Sequence, residues 1–240
     1  MLYALLLGFL IGMIHALEAD HLAAIASFSV RKNSLRDTLK LGYSWGVGHT
    51  VTLFLMVVPV YLFGGAISLL TEAGLELLVG VMLVYLGANI IYRLRRDRVH
   101  LHVHSHADEI RHIHVHSHKD DTTRDNSSSH DHSHRPRISG RAFGIGLVHG
   151  LAGSAALLVY AQGAILQPWV IIPYVLLFGA GSILGMTLIS KAISIPVQFA
   201  VAHSNVSFEG LKVAVSALTI ALGLSLAWSS AQTILFLSAV

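Results

Sequence analysis

The chain contains no cysteine. That excludes disulfides, thiolate metal sites and thiol redox chemistry. Charge is scarce too: only 12% of the 240 residues are Asp, Glu, Lys or Arg, against about 25% in a soluble domain. There is no G-x4-G-K-[ST] stretch and no H-E-x-x-H, so the sequence offers neither a phosphate-cradling loop nor a zincin protease motif. No enzyme active site is legible. The formal net charge of +3 gives no reason to expect nucleic acid, because the basic residues sit in loops beside apolar runs. What remains is 54% hydrophobic residues at a mean hydropathy of +0.65. This is the composition of an integral membrane protein, with the lipid bilayer as its main partner.

Six apolar runs are long enough for a hydrocarbon core of about 30 Å. They fall near 2–29, 41–63, 73–93, 141–163, 168–190 and 208–233. The fold expected is all-α and polytopic. The first run has no basic segment before it and is too long for a signal peptide, so it reads as a retained helix. A polar segment, 95–140, separates a first three-helix unit (1–94) from a second (141–240). Lys and Arg occupy alternate loops: Arg31, Lys32, Arg36 and Lys40; then Arg93, Arg95, Arg96 and Arg98; then Lys191 and Lys212. The positive-inside rule then places both termini outside and the polar segment in the cytoplasm.

The two units repeat. Phe9–Leu17 aligns with Phe143–Leu151, Trp45–His49 with Phe178–Ser182, and Gly74-Leu75 and Leu86-Gly87 with Gly210-Leu211 and Leu222-Gly223. Three spans per unit force the second to lie upside down relative to the first. Inverted repeats are a transporter architecture, with the substrate near the midplane where the repeats meet. Stripes of small residues at spacing four (Gly8, Gly12, Ala16; Gly42, Gly46, Thr50; Gly146, Gly150, Ser154; Gly181, Gly185) allow close backbone approach in lipid.

The first span holds His15-Ala16-Leu17-Glu18-Ala19-Asp20-His21. An ionisable group at the bilayer centre costs about 2.5–3.5 kcal/mol on insertion scales, so such residues point to function. Two imidazoles beside two carboxylates suit a divalent metal ion, which neutralises the acids and engages the ring nitrogens. His15 and His21 are six apart, about 240° around a regular helix. A straight helix cannot aim both at one ion, so the helix is expected to be kinked or unwound between Ala16 and Asp20. His49 and His149 lie beside the small-residue stripes and should face the bundle interior. The candidate metal ligands are therefore His15, Glu18, Asp20, His21, His49 and His149. The second unit has Ala152, Ser154 and Ala155 where the first has Glu18, Asp20 and His21, which suggests one asymmetric site.

Eleven of the sixteen histidines lie in the polar segment: His100, His102, His104, His106, His112, His114, His116, His118, His130, His132 and His134. Their alternation would line up imidazoles on one face of a strand pair, and histidine tracts bind divalent metals in any conformation. Buffering, delivery or sensing are the roles open to them.

The H-x4-D-H pattern of His15, Asp20 and His21, followed by Gly46-Val47-Gly48-His49-Thr50-Val51, resembles the signature of the nickel/cobalt transporter family of bacterial membrane permeases. The resemblance implies that His15, Asp20, His21 and His49 recognise metal, and that the protein sits in the bacterial cytoplasmic membrane. Six spans and a histidine-rich loop are similar to the compact or efflux-linked branches of the wider group. Nitrogen and carboxylate ligands suit nickel, cobalt or zinc; copper(I) wants sulfur, and Mg²⁺ or Ca²⁺ wants more oxygen.

Without a nucleotide site, the driving force must come from the membrane potential, an ion gradient or a partner. A potential of about 100 mV gives a divalent cation roughly 4.6 kcal/mol. The reading is a secondary transporter importing nickel or cobalt as substrate, with no resident cofactor. An efflux permease whose loop captures metal and a non-transporting sensor or accessory subunit are the alternatives. A cytoplasmic metallochaperone is a candidate partner. Because ligation needs neutral imidazoles, protons should compete with metal below about pH 6.

Overall fold

The computed structural model describes residues 2–30, 35–63, 66–96, 139–153, 168–203 and 205–239. Among these residues every regular element is helical. The order is α1 (Leu2–His15), α2 (Ala19–Ser29), α3 (Leu35–Leu62), α4 (Leu69–Arg96), α5 (Gly140–Ala152), a 3₁₀ turn (Pro168–Val170), α6 (Ile171–His203) and α7 (Asn205–Ser238). Helices α3, α4, α6 and α7 are each long and apolar enough to cross a membrane, and α1 with α2 makes a further candidate span bent by 55°. The protein is a polytopic helical membrane protein. The fourth expected span, 141–163, is described only through α5; its remaining residues and the histidine tract 100–134, with the strand pair expected there, lie outside the described residues.

The long helices overrun the hydrophobic segments. α4 covers 69–96 rather than 73–93, and α6 reaches His203 rather than 190. Hydropathy marks the lipid-immersed part, whereas helical hydrogen bonding continues into the basic residues beyond it. Pro59 lies near the end of α3 and Pro196 near the end of α6, where a missing backbone donor disturbs little of the bundle centre.

The first span breaks where the motif lies. α1 closes with Leu17 N–H on the Ile14 carbonyl at 2.8 Å and Glu18 N–H on the His15 carbonyl at 3.1 Å, the tight three-residue turns that often end a helix. Glu18 is extended (φ −59°, ψ 147°), and α2 then restarts with Leu22 N–H on the Glu18 carbonyl at 2.9 Å.

The small-residue stripes are the helix seams. α1 lies along α6, α3 along both α6 and α5, and α4 along α7. A Cβ at Gly12 would overlap the Phe178 carbonyl, at Gly181 the Phe9 carbonyl, at Gly48 the Phe143 carbonyl and at Gly146 the Trp45 carbonyl. Only glycine permits these approaches. On either side, apolar side chains form separate buried clusters. Trp45, Leu83 and Met186 belong to one, and Leu53, Tyr174 and Phe178 to another. The candidate site lies between Trp45 and Phe178.

Candidate metal centre

The break turns the ends of α1 and α2 toward α3 and α5. His15 closes α1, Asp20 and His21 sit in the first turn of α2, His49 is in the middle of α3, and His149 is near the end of α5. The four imidazoles form one cluster. Ring centroids are 4.1 Å apart for His21–His149, 4.5 Å for His15–His21, and 5.2 Å for both His15–His49 and His21–His49. All four histidines are buried. Trp45 stacks near His21 and His149, and Phe178 near His15. Both are large buried rings packed against the imidazoles.

Each carboxylate holds a histidine by one nitrogen. His15 Nδ1 donates to Glu18 Oε1 at 2.7 Å, and His21 Nδ1 donates to Asp20 Oδ1 at 2.8 Å. In both rings the proton then sits on Nδ1, which leaves Nε2 with its lone pair: that of His15 meets His49, and that of His21 is buried without a partner. A carboxylate behind a ligating histidine is the usual way a metal site fixes tautomer and ring orientation. Asp20 Oδ1 also accepts the backbone N–H of His21 at 2.8 Å, which anchors the carboxylate to the start of α2, the end of a helix that favours negative charge. Its second oxygen, Oδ2, accepts from His149 Nε2 at 2.9 Å. Asp20 therefore ties the start of α2 to α5.

With its proton on Nδ1, His15 accepts at Nε2 a hydrogen bond from His49 Nε2 at 3.2 Å. Two nitrogens bound at 2.0–2.1 Å to one tetrahedral ion are about 3.3 Å apart, so this pair stands at ligand spacing. His21 Nε2, His49 Nδ1 and His149 Nδ1 are buried without a hydrogen-bond partner. A buried polar atom left without a partner is costly, and a bound cation would engage the His21 lone pair. Ligand atoms of His15, His21 and His49 lie within 4.8 Å of one another, and so do those of Asp20, His21 and His149. Two overlapping three-residue groups thus share His21.

All six candidate residues of the bundle come together. Glu18 and Asp20 also accept hydrogen bonds from His15 and His21, and Asp20 belongs with His21 and His149 to one of the two groups that could hold a metal ion. The eleven loop histidines, His100 to His134, lie outside the described residues. Trp45, Phe178 and Gly153 were not singled out from the sequence as site residues. Trp45 lies one helical turn before His49, and Phe178 is its counterpart in the alignment of the two halves, so spacing and that alignment together carried a signal. A Cβ at Gly153 would sit 3.3 Å from His15 Nε2; nothing in the sequence marks that approach.

A buried histidine–carboxylate cluster at a helix break inside a polytopic bundle gives this membrane protein two groups of side chains that could hold a metal ion. Comparison with known proteins agrees. The urease accessory protein UreH of Bacillus sp. (strain TB-90) is 34% identical over 198 residues, spanning 82% of this chain and 78% of that protein. A candidate nickel/cobalt efflux system of Methanocaldococcus jannaschii is 29% identical over 109 residues, 44% of this chain and 48% of its own length. No family model matches the chain, and no solved structure matches it significantly. The chain belongs to the nickel/cobalt transporter family.

Proposed function

We propose that this protein is a secondary transporter that carries nickel or cobalt ions into the cytoplasm through the buried histidine–carboxylate cluster. The observation that carries the proposal is the grouping of His15, His21 and His49, whose ligand nitrogens lie within 4.8 Å of one another. His15 and His49 face each other at 3.2 Å, and the buried His21 Nε2 beside them has no partner. His15, His21 and His49 are the ion's nitrogen ligands. Glu18 and Asp20 orient two of them and offset the ion's charge, and His149 joins through Asp20. Three imidazoles with carboxylates behind them suit nickel and cobalt.

The transport framework is six spans in two inverted repeats, and matched close contacts support it. Gly12 meets the Phe178 carbonyl as its counterpart Gly146 meets that of Trp45. Gly181 meets Phe9 as Gly48 meets Phe143, and Gly87 meets Ser216 as Gly223 meets Gly80. Exchanging the two units maps each contact onto another, as a two-fold axis between them would require. In this orientation both termini are outside the bacterial cytoplasmic membrane. The histidine tract 100–134 captures metal on the inner side, where a metallochaperone can collect it.

The M. jannaschii relative is named for efflux, and that favours a second reading in which the same site exports. Nickel-63 and cobalt-57 content of cells expressing the chain, against the His21→Ala form, separates the two. Content above that of empty cells, lost in the mutant, is import. Content below it, restored in the mutant, is export. No change with either isotope contradicts transport of these metals and leaves the accessory role stated in the name of the Bacillus relative.

A further inference from the structure

A cavity of about 360 Å³ opens between the start of α2, the middle of α4 and the second half of α7. Its polar lining is Glu18, Asp20, Ser225 and Ser229, and its apolar walls include Leu83 and Leu222. The polar lining consists of oxygen donors. At about 30 Å³ per water the space holds roughly a dozen molecules, enough for a cation with an octahedral aqua shell. We propose that this crevice is the hydrated vestibule through which a divalent aqua cation reaches the imidazole cluster, with Glu18 and Asp20 exchanging part of its water for carboxylate oxygen on the way. The inference rests on the transport reading above and adds the ion's route.

Exposure falls along this route. The Glu18 side chain is 55% exposed and Asp20 27%, whereas His15 is at 8% and His21 at 1%. Glu18 bridges the two environments. One oxygen accepts from His15 at 2.7 Å and the other lies 3.9 Å from His21 Nδ1, while the residue faces the cavity. Asp20 also lines the cavity and accepts from both His21 and His149. The buried, unpartnered His21 Nε2 beyond them is where a partly dehydrated ion finds nitrogen. On the far wall Ser225 and Ser229 are one turn apart and share a face. Further along the same seam the buried Ser230 donates to Glu76 Oε2 at 3.2 Å, which extends the oxygen lane toward the start of α4. An ion that sheds water in stages, from hydroxyl to carboxylate to imidazole, avoids losing its whole shell in one step.

The absence of cysteine makes the route testable in the full chain. Single Ser225→Cys, Ser229→Cys and Leu224→Cys forms are placed in proteoliposomes and treated with a cationic methanethiosulfonate and, separately, N-ethylmaleimide. Leu224 is exposed at the same depth and serves as the bilayer-facing control. The cationic reagent should modify the two serine positions at least tenfold faster than Leu224→Cys, and saturating nickel should slow that at least fivefold. In a His21→Ala background modification should persist and nickel protection should disappear. Modification of both serine positions by N-ethylmaleimide alone means the crevice faces lipid and overturns the inference, as does failure of the cationic reagent at both. Intact nickel binding in titration without protection overturns it while leaving the site reading standing. A parent chain that binds no nickel overturns both.

Discussion

Asp20 takes three donors on two oxygens: the His21 backbone, the His21 ring and the His149 ring. Asn in its place keeps the shape but turns one acceptor into a donor, so either His21 or His149 loses its partner. Asp20→Asn should therefore weaken nickel binding about 10- to 100-fold, the usual cost of disturbing an outer-shell partner, as read by calorimetric titration of the purified protein. Glu18→Gln should cost less, because the amide retains an oxygen for His15 Nδ1 and the residue is half exposed. Proton competition is also a residue-scale effect. Ligation needs neutral imidazoles, whose ordinary value is about 6.5, and protonation removes ligands. Binding should weaken as pH falls and never strengthen, checked by the same titration repeated at successively lower pH. The motif residues could be read from the sequence as ligating types. Which nitrogen each histidine presents could not, because that depends on side-chain rotamers and on a contact between Asp20 and His149 spanning 129 positions.

The break between α1 and α2 was foreseeable at the scale of the element. His15 and His21 cannot share a target on a regular helix, so the helix gives way between them, and the 55° bend brings both toward His49. The extents of α3, α4 and α6 were less foreseeable, since hydropathy reports immersion in lipid rather than the end of backbone hydrogen bonding. The seams between elements make a sharp prediction. Gly12→Ala, Gly48→Ala, Gly146→Ala and Gly181→Ala each drive a methyl into a backbone carbonyl that cannot rotate away. Each should cost at least about 1–3 kcal/mol, as overpacking does, and lower the melting temperature in detergent. Gly74 and Gly144 are also helical, but a Cβ there meets nothing within 4 Å. Alanine at those positions should leave the melting temperature unchanged or raise it, by up to about 1 kcal/mol of helix propensity.

For the whole molecule, the proposed repeat rests on three ordered matches in the chain, and the paired glycine contacts across the helix seams are what it would require. On the proposed repeat, the two halves share a scaffold and differ in their chemistry. Phe178 mirrors Trp45 and both wall the cluster, whereas Ser182 stands where the first unit has His49 and makes a hydrogen bond to the Gly12 carbonyl at 3.2 Å instead. That His49 and His149 face the interior beside the first-span motif was legible from the small-residue stripes, whereas the packing distances among the four rings were not, because they depend on how the helices dock. The central claim of the account is that one nickel or cobalt ion binds to the Nε2 atoms of His15, His21 and His49 in the full chain. X-ray absorption of the purified, nickel-loaded protein tests it most directly. The account predicts imidazole scattering from about three nitrogens near 2.0–2.1 Å, with one lost in His21→Ala. A nickel shell of oxygen alone, or an imidazole signal unchanged by His21→Ala, would contradict it.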